Sequence, residues 1–155
     1  MNYIINRGSL HYGRGISNIL KMKITSIITC SAIYTLAFFS NQQDELNESI
    51  ARGKELYKES CITCHLANGE GIKGTFPPLA KADFLTKYPE KSIHAVKFGM
   101  SGAITVNGVA YNNAMPPSGF GDDEIADVMN YIRNAFGNKN VQLVTEKMVG
   151  AIKEK

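Results

Sequence analysis

Cys61-Ile62-Thr63-Cys64-His65 holds both cysteines that follow residue 30 in this chain of 155 residues. Two thiols at this spacing serve three chemistries: a zinc site, a redox-active dithiol, or covalent attachment of a haem. A structural zinc takes four ligands, usually two cysteine pairs or one pair with two histidines. From residue 41 onward the only other histidine is His94, and His65 directly beside Cys64 is poorly placed for a tetrahedral set. A dithiol motif sits after a buried strand, at the mouth of a helix in a βαβ unit. Here the preceding stretch instead carries Leu46, Ile50, Gly53 and Tyr57 at helical spacing, which predicts an amphipathic helix over about 47–60. Haem attachment uses every residue of the motif. The thiols add to two vinyl groups on one side of the porphyrin, and His65 then falls under the iron.

Charge is unevenly distributed. The chain has 17 basic and 14 acidic residues, a formal net charge of +3. Arg7, Arg14, Lys21 and Lys23 precede residue 41 with no acid among them, so 13 basic residues face 14 acidic ones from Asn41 onward. Nucleic-acid binding needs a basic patch, and this balance argues against it. A hydrophobic content of 44% with 20% charged residues fits a globular domain rather than a disordered chain.

Residues 24–40, ITSIITCSAIYTLAFFS, are uncharged, mostly apolar, and directly follow Met22-Lys23. That is the pattern of an export signal. The run is short for a membrane span, which needs about 20 residues, so 22–40 reads as a signal peptide or an N-terminal anchor. Cys30, in its middle, reads as a small apolar residue. Residues 1–21 fit no such signal and read as an upstream extension, with translation starting at Met22. Export places the protein in the periplasm, with membrane association through 24–40 if the segment is retained. It also suits thiols that must stay free for haem, since no other cysteine remains to mispair with them.

The rest of the chain divides into a linker at 41–46, a domain at 47–140 and a helical surface tail at 141–155. After His65, Gly69, Gly71, Gly74 and Pro77-Pro78 exclude regular structure. A short helix or turn follows at 82–86, and Pro89 opens a helix over 90–98 that Gly99 stops. AITVNGVAY at 103–111 predicts a hairpin turning at Asn107-Gly108. Asp122 and Asp123 begin the clearest helix, with Ile125, Val128, Ile132 and Ala135 on its apolar face and Gly137 at its end.

A methionine thioether closes the sixth position of a haem iron and raises its potential, whereas an open position suits gas binding or peroxide chemistry. Of six methionines, Met1 and Met22 lie in the leader and Met148 in the tail. Met129 sits inside the best helix, where core packing is its role. Met100 stands in a flexible Gly-Met-Ser-Gly setting. Met115 is held by Pro116 and Pro117 in an extended strap able to cross the second haem face. His94, among Glu90, Lys91 and Lys97, reads as a surface histidine.

Four stretches, RGKELYKESCITCH, GEGIKGTFPPLA, FGMSGAITVNGVAYNNAMPP and DDEIADVMNYIRNAFG, occur in this order between Asn47 and Asn138. In them the chain resembles the class I monohaem c-type cytochromes of bacteria. The resemblance implies an all-α fold with long loops, packed around one covalently attached haem c. It implies thioethers at Cys61 and Cys64, His65 as the proximal iron ligand and Met115 as the distal one. Pro77 would offer its carbonyl to the outer ring nitrogen of His65, fixing the tautomer. Gly53 and Tyr57 match the family's first helix, Val128 and Tyr131 its last. A glycine inside a helix costs about 1 kcal/mol relative to alanine, which a close crossing of those two helices would explain. The chain has no tryptophan, so a propionate partner of that type is missing; Tyr111, Asn107 and Asn112 stand in as substitutes.

The expected function is single-electron transfer, not catalysis, with a membrane oxidase, reductase or dehydrogenase as redox partner. Two rivals remain. One is a fixed electron-transfer subunit of such a complex, and the other is a haem sensor or peroxidase whose methionine ligand is displaceable.

Overall fold

A computed structural model describes residues 42–154. The expectations for 1–21, 22–40 and Cys30 lie outside the described residues.

Helix α1 occupies residues 42–60. Leu46, Ser49, Gly53 and Tyr57 form its buried stripe, and Ile50 is half-buried beside them. Residues 42–46, expected as a linker, are therefore already helical. Leu46, within this stretch, is buried at 4% exposure. Cys61 continues the chain without a break, its N–H donating to Tyr57 O at 2.9 Å, into the short helix α2 (Ile62–His65).

Residues 66–82 form the loop that the glycines and prolines required. Leu79 and Ala80 N–H both donate to Gly69 O, at 2.7 and 2.8 Å, folding the loop back on itself. Helices α3 (Asp83–Lys87) and α4 (Pro89–Phe98) follow, the second opened by its proline and stopped at Gly99 with φ 80°. Strands β1 (Ile104–Val106) and β2 (Val109–Tyr111) pair antiparallel, Ile104 opposite Tyr111 and Val106 opposite Val109. Asn107 (φ 50°) and Gly108 (φ 78°) make the tight turn. Asp83 clamps that turn to α3: Asn107 N–H donates to Asp83 Oδ1 at 2.8 Å, and Asp83 N–H to Asn107 Oδ1 at 3.0 Å. Asn107 is thereby engaged away from the interior.

Helix α5 (Asp122–Ile132) starts with three acids at its positive end. Ile125, Val128, Met129 and Ile132 are all 5% exposed or less. The α-helix ends at Ile132, earlier than the glycine signal implied, and the chain winds through turns to Gly137 at φ 81°. Helices α1 and α5 touch through their backbones at Gly53, where a Cβ would overlap the Asp127 carbonyl and lie 2.9 Å from Val128 N. Ser49, Arg52 and Asp127 bridge the same crossing, with Ser49 Oγ–H donating to Asp127 Oδ1 at 2.7 Å and Arg52 Nη2 donating to it at 2.9 Å. Tyr57, Tyr131 and Phe136 pack in a trio with ring centroids 5.2–5.5 Å apart.

The surface-tail expectation is corrected. Helix α6 (Glu146–Ala151) packs on α5, and Val144 and Val149 are 1% and 0% exposed. Asn130 holds the segment in place: its Nδ2 donates to Val144 O at 2.9 Å and its Oδ1 accepts from Val144 N–H at 2.8 Å. Among the described residues, no helix is long and apolar enough to cross a membrane.

Candidate cofactor site

The CITCH turn opens onto a cavity whose space, counted together with the open solvent at its mouth, is about 1030 Å³. Cys61, Cys64 and His65 line one side, and Met100 and Met115 also line it. Apolar residues fill the walls, among them Leu79, Phe84, Leu85, Val96, Val106 and Ile132. Among the described residues, no lysine, arginine, aspartate or glutamate lines it.

His65 is buried at 8% exposure. Its Nδ1 lies 3.0 Å from Pro77 O. A carbonyl only accepts, so Nδ1 carries the proton and Nε2 keeps its lone pair, the form that ligates a metal. Burial lowers the His65 pKa, with the Pro77 contact opposing it, and so favours the neutral ring. The loop supports this contact. Gly71 N–H donates to His65 O at 3.0 Å, and at φ 60° Gly71 has no side chain to collide with the Pro77 carbonyl. Tyr57 Oη donates to Leu66 O at 2.6 Å, fixing the chain just beyond the histidine.

Cys61 and Cys64 are free thiols. Burial, with Cys64 adding, pushes Cys61 up to about 11. Redox-active dithiols shift the other way, toward an easily formed thiolate. Nor do the described residues contain a cluster of three or more histidines, cysteines or acids able to hold a metal. Both zinc and dithiol chemistry fit poorly. An apolar cavity with two thiols, a neutral buried imidazole and a thioether on its walls fits a porphyrin.

Met115 forms an isolated antiparallel bridge with Met100, and both are half-buried. Met129 is 0% exposed and belongs to the core. His94 is absent from the cavity lining and its ring packs on Phe98 with centroids 5.1 Å apart. Tyr111 lines the cavity; Asn107 and Asn112 do not. Asn113 does, with its Nδ2 donating to Thr75 O at 3.2 Å.

Residues 50–136 match the family described as Cytochrome c. The chain belongs to the cytochrome c family. It is 42% identical over 95 residues to cytochrome c-552 of Thermus thermophilus, a match covering 57% of this chain and 70% of that protein. The cytochrome c subunit of the quinone alcohol dehydrogenase of Gluconobacter oxydans is 36% identical over 90 residues, covering 56% of this chain but 18% of that one. The cytochrome c subunit of gluconate 2-dehydrogenase of Pantoea cypripedii is 28% identical over 124 residues, 73% of this chain and 28% of that one. The protein is thus a monohaem c-type cytochrome, an electron carrier rather than an enzyme, with covalent haem c as its cofactor.

Arg133 escaped sequence reasoning. Placed between Ile132 and Asn134 at the end of α5 it reads as a surface cation, yet it is 5% exposed. No local pattern signals this; Arg133 shares a pocket with residues 81–86 as well as with its near neighbours 137–140.

Proposed function

We propose that Cys61 and Cys64 hold the haem through thioethers, with His65 and Met115 as axial ligands, in an exported single-electron carrier of the periplasm. Bound there, haem c supplies an Fe(III)/Fe(II) couple that moves one electron at a time. The chain's own residues bind and orient it. His65 presents Nε2 because Pro77 O engages Nδ1. Met115 presents a thioether, which favours the reduced state. The apolar walls exclude water and reduce the reorganisation that accompanies electron transfer. The observation that carries this reading is that His65 and Met115, 50 residues apart in sequence, line a single apolar cavity with both thiols.

Exposure at the motif suits docking. Thr63 is exposed and Cys61, Ile62 and Cys64 are half-buried. A redox partner meeting this edge would do so over a small, transient surface. The partner is a membrane oxidase, reductase or dehydrogenase. The domain plan follows, with 22–40 as signal or anchor and 47–140, extended by helical residues 42–46 and by 141–154, as the haem domain.

A pyridine haemochrome of the purified protein tests the attachment. The expected spectrum is that of two thioether bonds, with a sulfur-to-iron charge-transfer band in the ferric form. A haem extractable by acidic organic solvent would overturn the reading. A second reading, a fixed subunit of a dehydrogenase complex, draws on the relatives that are cytochrome c subunits. Co-purification with a membrane complex after a salt wash would favour it over a free carrier.

A further inference from the structure

A second, polar pocket adjoins the main cavity, with Ala82 and Leu85 lining both. Arg133 lines it, 5% exposed, and its Nε is buried without a hydrogen-bond partner. Among the described residues Arg133 forms no ion pair. The other charged groups lining this pocket are Lys81, Lys139 and Asp83. Asp83 is already occupied, accepting from Asn107 N–H at 2.8 Å and from Lys87 Nζ at 2.8 Å. Lys81 and Lys139 add positive charge to the same space.

A buried guanidinium Nε–H without an acceptor is costly, since that group has lost its water and gained no hydrogen bond in return. Burial lowers the Arg133 pKa, the direction expected of a cation lacking its counter-charge. An anion would supply both the missing acceptor and the missing counter-charge. A haem carries two propionate carboxylates, and among the described residues the main cavity offers them no cation. The planar fork of arginine matches a carboxylate with two parallel N–H···O bonds.

We propose that Arg133 is the counter-charge for a haem propionate, received where the polar pocket meets the apolar cavity. This rests on the haem reading above. Arg133 is a positioning residue: it anchors the edge of the macrocycle and sets the charge near the iron. A cation close to the iron disfavours the ferric state, so its loss lowers the midpoint potential. Losing it also removes what holds the carboxylate ionised, so that the propionate titrates at higher pH.

The test uses holoprotein already shown to carry one covalent haem, so its failure leaves the haem reading intact. In wild-type protein with ¹³C-labelled propionates, one carboxyl is expected to titrate well below the other by NMR. Arg133→Gln is expected to lower the midpoint potential and to add a pH-dependent step in the acid-to-neutral range, and Arg133→Lys to recover most of that loss. Two results overturn the proposal. One is that both propionates titrate in the ordinary carboxylate range in the wild type. The other is that inorganic phosphate, added at constant ionic strength, shifts the wild-type potential through Arg133, which would make the pocket a site for a solute anion. The wild-type titration decides the matter even if the glutamine variant fails to fold.

Discussion

Met100 and Met115 exchange both backbone hydrogen bonds: Met100 N–H donates to Met115 O at 2.9 Å, and Met115 N–H to Met100 O at 2.8 Å. Directly opposed residues of an antiparallel pair project to the same face, and both methionines line the cavity. Two thioethers therefore stand side by side on the cavity wall. Met115 is the proposed ligand because Pro116 and Pro117 hold its strap. Met115→Leu should abolish the sulfur-to-iron band and let the ferric protein bind cyanide faster. Met100→Leu should leave both unchanged. The reverse pattern would exchange the two assignments.

Gly71 controls the imidazole from a distance. At φ 60° a side chain there is strained by about 1–2 kcal/mol. Its Cβ would also overlap Phe76 O and lie 2.7 Å from Pro77 O, the acceptor for His65. Gly71→Ala should destabilise the fold and also shift the midpoint potential, read by redox titration. A loss of stability at constant potential would show that the Pro77 carbonyl does not tune the histidine.

Much of this site was legible in the sequence because its parts are short and local. CITCH specifies a turn with fixed offsets, Asn107-Gly108 specifies a hairpin, and Asp122-Asp123 before a helical stripe specifies α5. The misread parts depend on distant partners. Residues 42–45 are all polar, so one apolar residue, Leu46, could not reveal that the helix had begun. Val144 and Val149 looked like a weak surface helix because the Asn130 side chain that fixes them lies 14 residues upstream of Val144.

Gly53 tests the crossing of α1 and α5. Alanine is the better helix former by about 1 kcal/mol, so propensity alone predicts stabilisation. Overlap with the Asp127 carbonyl should outweigh it, since overpacking costs about 1–3 kcal/mol. Gly53→Ala should therefore lower the denaturant midpoint. A raised midpoint would mean that the helices can separate at little cost.

Tyr57 gives the alkaline limb of stability. Burial first, then Cys61, Tyr131 and Glu70, raise its pKa in the folded protein. An unfolded tyrosine ionises near about 10. The unfolded state thus loses its proton first, and the contribution of Tyr57, complete below that pH, declines as pH rises above it. Tyr57→Phe should cost about 1 kcal/mol at neutral pH through the lost bond to Leu66 O. It should also flatten the fall in stability above about pH 10. An unchanged alkaline slope would contradict the burial of this hydroxyl.

The ligand set itself is tested most directly by the proton NMR spectrum of the reduced holoprotein. The predicted result is one methionine methyl resonance moved far upfield by the porphyrin ring current and assigned to Met115. No upfield methionine, or one assigned to another residue, would contradict iron held between His65 and Met115.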